Sequence, residues 1–233
     1  RKEDYRVAKM KSKPNIDGRH GDWKAIPDMQ IQRNGSPRNA TARLAFDAKK
    51  LYLLMTVKDP SPWVNNGKDF TRLFKTGDAV DVQLCINPSP KRRGRQLLED
   101  DRRILLAPYQ EGEAVVLMQP VAPDAPDSQA RTYESPIMTK NFDRVVLLKS
   151  AETAVRKEGR SYTVEMGIPL ADIGLQIKGG LKLRGDVGFI SSNANGTANV
   201  ARTYWSNKHT NLVNDLPSEA LLYPKSWGVL EFE

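Results

Sequence analysis

One cysteine and two histidines, against four tryptophans, 36 basic and 28 acidic side chains, set the chemistry open to this 233-residue chain. Cys85 has no partner for an internal disulfide, and with only His20 and His209 beside it no Cys/His zinc cage can be assembled. What remains is binding through aromatic plates, carboxylates, amides and guanidinium groups. Trp63 follows Pro60-Ser61-Pro62 in the polar loop Ser61 to Asp69, where neighbours offer little apolar cover, so an exposed plate is expected there. Trp205 alternates with Tyr204, and one of the two should face outward. Trp23 and Trp227 read as core. Asn193, Asn195 and Asn199 sit in an Asn/Gly stretch suited to tight turns, and Asn193, at a strand end, is the best placed to meet a hydroxyl group.

The carboxylates give no hydrolytic pair. Asp78 and Asp81 are three apart on a strand and point to opposite faces, and no spacing forces either against Glu99, Asp100, Asp101 or Glu165. Calcium takes six to eight oxygen ligands, to which Asp17, Asp22 and Asp59 could contribute; turn aspartates facing water are the plainer reading. The run Lys91-Arg92-Arg93-Gly94-Arg95, with Arg102-Arg103 after it, carries six basic residues against Glu99, Asp100 and Asp101. As a functional feature it would grip carboxylates or sulfates through forked hydrogen bonds; as a plain one it is a solvated loop. No nucleic-acid partner is expected, because the run lacks interleaved aromatics for base stacking.

The elements that must position these groups are strands. Short alternating apolar segments recur between clusters of Gly, Pro, Asn and Asp, which predicts an all-β, antiparallel β-sandwich of immunoglobulin-like or jelly-roll-like form, with long loops and one short helical turn. Strands are expected over 42–46, 51–59, 79–87, 103–107, 114–119, 144–150, 161–169, 186–193, 203–205 and 228–233. Tyr162, Val164, Met166 and Ile168 share one face, whereas Leu51 to Val57 is continuously apolar, as in a strand covered on both sides. Asp47 to Lys50 reads as a tight hairpin connection, and Pro169 to Gly174 as the helical turn, closed by a glycine. Segments 88–102 and 120–143 read as long loops, where binding is usually built. The net charge of +8 and 39% hydrophobic content fit a globular domain. No apolar run nears the ~20 residues of a membrane-spanning helix. The chain starts at Arg1 rather than Met, so a segment trimmed from a longer protein is expected.

Asn15-Ile16-Asp17-Gly18, Asp22-Trp23, Phe46-Asp47 to Leu51-Tyr52-Leu53, Val57-Lys58-Asp59, Gly77-Asp78-Ala79-Val80-Asp81 and Ile86-Asn87-Pro88 resemble, in that order, the family 9 carbohydrate-binding modules. Tyr162 to Leu170, Gly185 to Phe189, Trp205 and Ser226-Trp227-Gly228-Val229-Leu230 continue the resemblance. It covers residues 14–233, read as one domain behind an N-terminal extension of residues 1–13. The resemblance implies a β-sandwich related to the DOMON-like domains and a non-catalytic, extracytoplasmic module that binds a polysaccharide or oligosaccharide. It also implies attachment to a larger secreted protein, including catalytic domains, and the module itself is expected to be a monomer. In sugar-binding members two tryptophans sandwich a terminal sugar ring. Here the first such position falls at Phe74, and the loop that should carry the second, Asn207 to Lys225, has Tyr223 as its only aromatic. A family carboxylate falls at Asp81, and a family arginine aligns with Leu105, for which Arg103 on the same face could substitute.

Sugar rings present apolar C–H faces fringed by hydroxyls, so an aromatic plate with nearby polar groups suits them. The expected ligand cleft is therefore Trp63, Phe74, Asp81, Arg103, Asn193 and Trp205, with a saccharide, neutral or acidic, as ligand and no cofactor required. Two rival readings are a structural or interaction β-sandwich without a sugar site, and a haem-binding electron-transfer domain with Met55, Met166 or His209 as axial ligand.

Overall fold

The computed structural model describes residues 3–88 and 96–233; the basic run from Lys91 to Arg95 lies outside the described residues. Among the described residues fifteen strands appear in the order β1 (Asp4–Lys9), β2 (Met29–Gln32), β3 (Asn39–Phe46), β4 (Lys50–Lys58), β5 (Ala79–Cys85), β6 (Asp101–Tyr109), β7 (Gly112–Gln119), β8 (Arg131–Ser135), β9 (Met138–Phe142), β10 (Arg144–Leu147), β11 (Glu152–Glu158), β12 (Ser161–Pro169), β13 (Lys182–Ser192), β14 (Asn199–Tyr204) and β15 (Gly228–Phe232). A short helix, α1 (Leu216–Ala220), precedes β15.

Sheet A runs β10-β7-β6-β5-β13, with β14 and β15 both pairing with β13, and sheet B contains β2, β3, β4, β12 and β11. Strand β1 joins them. Its first half runs parallel to β15 of sheet A and its end runs parallel to β3 of sheet B, so the first strand and the last lie side by side at the seam. Residues 4–9, read from the sequence as part of an extension, are thus built into the sandwich: Tyr5, Val7 and Ala8 are buried between flanking charges that hide their alternation.

The inner faces meet in a core that includes Leu44, Leu53, Met55, Val80, Val82, Leu106, Tyr162, Val164, Val187, Phe189 and Leu230. Tyr162, Val164, Met166 and Ile168 all point into it, as the period of two requires. The continuous run in β4 is also explained, because Tyr52 and Leu54 face the other way into a separate cluster with Trp23. Glu165 anchors that side, accepting hydrogen bonds from the Trp23 indole at 2.8 Å and from the backbone N–H of Asp17 and Gly18 at 2.9 and 2.8 Å. The outer face of sheet A is likewise covered. Leu73, Phe74, Tyr133, Phe142, Ala220 and Leu222 lie over Ala79, Leu105, Val116 and Trp227. Tyr133 and Phe142 come from the β8–β9 hairpin, which lies inside the segment read as a long loop.

Gly174, with φ 68°, closes the 3-10 turn Leu170–Ile173, as read from the sequence. Two buried carboxylates pin loops to the sheet. Asp186 accepts from the backbone N–H of Val187, Ser206 and Asn207 at 2.8–2.9 Å. Asp78 accepts from those of Val64 and Ser192 at 2.8 and 2.7 Å. Burial outweighs these donors and pushes Asp186 up to about 7 and Asp78 up to about 6. A carboxyl that holds its proton more tightly folded than unfolded stabilises most below its unfolded value and loses that contribution as pH rises. The stability of wild type relative to Asp186→Asn should therefore fall as pH rises from about 4 to about 7, measured by urea unfolding at each pH; a constant difference would show that Asp186 does not titrate in this window.

Candidate functional site

The outer face of sheet A holds a buried polar cluster at its centre. Alternation along β5 sends Val80, Val82 and Leu84 inward and Asp81 and Gln83 outward, and Gln83 stands opposite Arg103 of β6. Arg103 is fully buried. Its Nε lies 3.2 and 3.1 Å from the two Asp81 oxygens and its Nη2 2.8 Å from Oδ2, a forked ion pair. Its Nη1 donates to the backbone carbonyls of Glu219 and Ala220 at 2.6 and 3.0 Å. Burial penalises the guanidinium charge, but Asp81, with Tyr204 and Tyr133, together offset this and hold its pKa above the usual arginine value.

Tyr204 reaches the same carboxylate from two strands away. Tyr204 pairs with Gly188, and Gly188 pairs with Asp81, so glycine is the residue that separates them. A Cβ at Gly188 would lie 2.3 Å from the Tyr204 ring; with hydrogen there, the ring lies across the strand and its hydroxyl donates to Asp81 Oδ2 at 2.5 Å. Burial pushes the Tyr204 hydroxyl up to about 12, Arg202 works against that and Asp81 adds to it, so the phenol stays a donor. Gln83 donates to Asp81 at 3.1 Å and accepts from the Trp227 indole at 3.2 Å. The Arg202 guanidinium lies over the Tyr204 ring and donates to its hydroxyl at 3.3 Å and to the Leu212 carbonyl at 3.2 Å.

A roof closes over these groups. The Phe74 ring covers the Arg103 guanidinium at 5.2 Å and meets Tyr133 edge-on. Asn199 donates to the Phe74 carbonyl at 2.8 Å and to Glu219 at 2.7 Å, and Lys75 pairs with the other Glu219 oxygen at 2.5 Å. Helix α1 is thereby fixed with its backbone carbonyls on Arg103.

Of the six residues expected to form a cleft, Phe74, Asp81 and Arg103 do converge, but under this roof rather than on an open surface. Trp63 and Trp205 are only 6% exposed and belong to the core between the sheets, on the opposite side of sheet A. Trp63 has φ 59°, a left-handed backbone that is uncommon without glycine, and this turns its indole inward onto Tyr162, with ring centroids 4.8 Å apart. Trp205 packs edge-on to Tyr5 and fills the space that Gly228 leaves, where a Cβ would stand 2.5 Å from the indole. Asn193 is half-buried and ties its own turn, accepting from the Thr197 N–H and donating to the Thr197 hydroxyl, both at 2.9 Å. Gln83, Tyr204, Arg202, Asn199 and Glu219 complete the cluster and were not singled out as ligand groups. The Tyr204/Trp205 alternation and the Asn/Gly stretch that holds Asn199 are the sequence signals pointing to any of them.

The other candidates are each placed. Asp17, Asp22 and Asp59 accept hydrogen bonds from the backbone N–H of Arg19, Asn15 and Ser61, and no group of three or more His, Cys, Asp or Glu able to hold a metal occurs among the described residues. Met55 and Met166 are sealed in the core, whereas His209 is exposed.

The fold is that of the family 9 carbohydrate-binding modules. The chain superposes on one such module from Caldicellulosiruptor kristjanssonii in complex with cellotriose, with a TM-score of 0.61 and 17% identity over 99% of this chain and 94% of that one. The C. kristjanssonii module in complex with glucose gives 0.59 and 18% over 98% and 95%. A protein of Bacteroides uniformis ATCC 8492, provisionally described as carbohydrate-binding, gives 0.53 and 14% over the full length of both chains. No protein-family model matches the sequence, and no curated protein sequence matches it.

Removing one partner of the Asp81–Arg103 pair leaves a buried charge unmet. Arg103→Met and Asp81→Leu should each lower unfolding free energy by about 3–5 kcal/mol, and the double variant by much less than their sum, read by denaturant titration.

Proposed function

We propose that this chain is a non-catalytic carbohydrate-binding module. The reading is carried by one observation: a carboxylate, an amide, two guanidinium groups and a tyrosine are gathered on one face of a sandwich whose neighbours hold cellotriose and glucose. These are the donors and acceptors that sugar hydroxyls require. Phe74 supplies the ring, with Asp81, Gln83, Arg103 and Arg202 as polar partners. The carbonyls of Glu219 and Ala220 occupy acceptor positions on Arg103 that sugar oxygens would take, so binding at this face requires the segment around α1 to lift. A module of this kind would tether a larger extracytoplasmic protein to a glycan, neutral or acidic, by reversible stacking and hydrogen bonding.

The burial of Trp63 and Trp205 and the sealed Asp81–Arg103 pair favour a second reading, a sandwich that serves structure or protein contact without a sugar site. Calorimetric titration with glucose, cellotriose and an oligogalacturonide, alongside a glycan array, separates the two. A saccharide binder should gain about 2.7 kcal/mol of stability at a ligand concentration one hundred times its dissociation constant. Absence of heat, array signal and thermal shift for every sugar would leave the second reading standing.

A further inference from the structure

At one end of sheet A, three neighbouring strands put polar side chains into a single cross-strand row. Arg144 of β10 pairs with Gln119 of β7, and the Arg103–Met118 pairing sets Arg102 of β6 on the other side of the same glutamine. Alternation gives all three the face that carries Leu84, Ile104 and Leu117, just beyond the edge of the apolar core. They line an open pocket of 280 Å³ together with residues 122–126, with Glu99 and Asp124 in its wall.

Among the described residues neither guanidinium forms a hydrogen bond or close ion pair with a carboxylate. Arg102 is nearly buried and spends Nε on the Ile173 carbonyl at 3.1 Å and Nη1 on the Asp101 carbonyl at 3.1 Å and the Glu99 carbonyl at 2.5 Å. Its Nη2 makes no hydrogen bond among the described residues. Among the described residues Arg144 has a single long hydrogen bond, Nη1 to Gln119 at 3.4 Å, and its buried Nε has no partner. Burial presses the pKa of Arg102 below the usual arginine value; Asp100 and Asp101 counter this, and the charge of Arg144 adds to it. Two like charges held by rigid strands around unmet N–H donors form a place where negative charge is stabilised.

We propose that the Arg102–Gln119–Arg144 row is an oxyanion-binding site that takes one carboxylate or sulfate group. Its volume lies near the lower end of the ~300–1,000 Å³ of ligand pockets, which suits a single charged group or a hexuronate rather than a long chain. This site is separate from the Asp81–Arg103 face and does not depend on the saccharide reading of that face.

The test is calorimetric titration of the whole chain with galacturonate, inorganic sulfate and galactose, repeated with Arg144→Gln. Galacturonate, sulfate or both should bind the wild type, weaken as salt rises, and lose at least tenfold in affinity in R144Q, while galactose should not bind here. Binding of galacturonate alone assigns the site to a sugar-borne acid; binding of sulfate as well assigns it to the oxyanion itself. Equal affinity in wild type and R144Q, binding of galactose as strong as that of galacturonate, or no binding of either anion overturns the proposal. If R144Q does not fold, amide chemical shifts of the wild type on adding sulfate decide: movement at 101–103, 117–119 and 144–146 supports the site, and its absence there overturns it. Cellotriose binding is scored separately, so loss of the saccharide reading leaves this result untouched.

Discussion

A guanidinium buried in the middle of a sheet face must have its donors met, and the need of Arg103 organises one whole side of this molecule. Asp81 meets it from the neighbouring strand and the carbonyls of Glu219 and Ala220 meet it from above. The second contact turns a local ion pair into a long-range constraint, because it fixes α1 over the sheet from more than a hundred residues away in sequence. Once α1 is placed, Glu219 reaches Asn199 and Lys75, and the Phe74 turn is drawn down onto the guanidinium.

This arrangement separates the chain from a simple open sandwich. A sheet with one solvated face alternates apolar and polar residues, yet β5 of this protein is buried along its entire length. The outer face of sheet A carries apolar groups around its polar centre and needs a cover, supplied by the β8–β9 hairpin, the Phe70–Lys75 turn and α1. The chemistry suited to a saccharide is present, and the same groups now satisfy one another. A face of this kind binds only what can replace its internal contacts, which ties any ligand affinity to the cost of lifting the cover.

Much of the sandwich was legible along the chain because alternation is a local signal. Strand β12 was read with its observed ends, and the doubly covered β4 was recognised from its unbroken apolar run. Strands β1, β2, β8, β9 and β11 were not, since each is short or heavily charged and carries too little apolar alternation to stand out. Which of the expected cleft residues come together was legible in part, and their burial was not. Phe74, Asp81 and Arg103 do meet, whereas Trp63 and Trp205, read as surface plates from polar neighbours, are turned inward by a left-handed backbone and by the space at Gly228.

The sequence by itself determined the class of fold and the kind of chemistry, because side-chain period and residue type are properties of each segment alone. Only the tertiary structure decided which face those side chains serve and whether solvent reaches them. Burial of Asp81 and Arg103 depends on α1 arriving from the far end of the chain, and the Arg102–Gln119–Arg144 row exists only once three strands are in register. Contacts of that kind are set by how segments pack, and no single segment carries them.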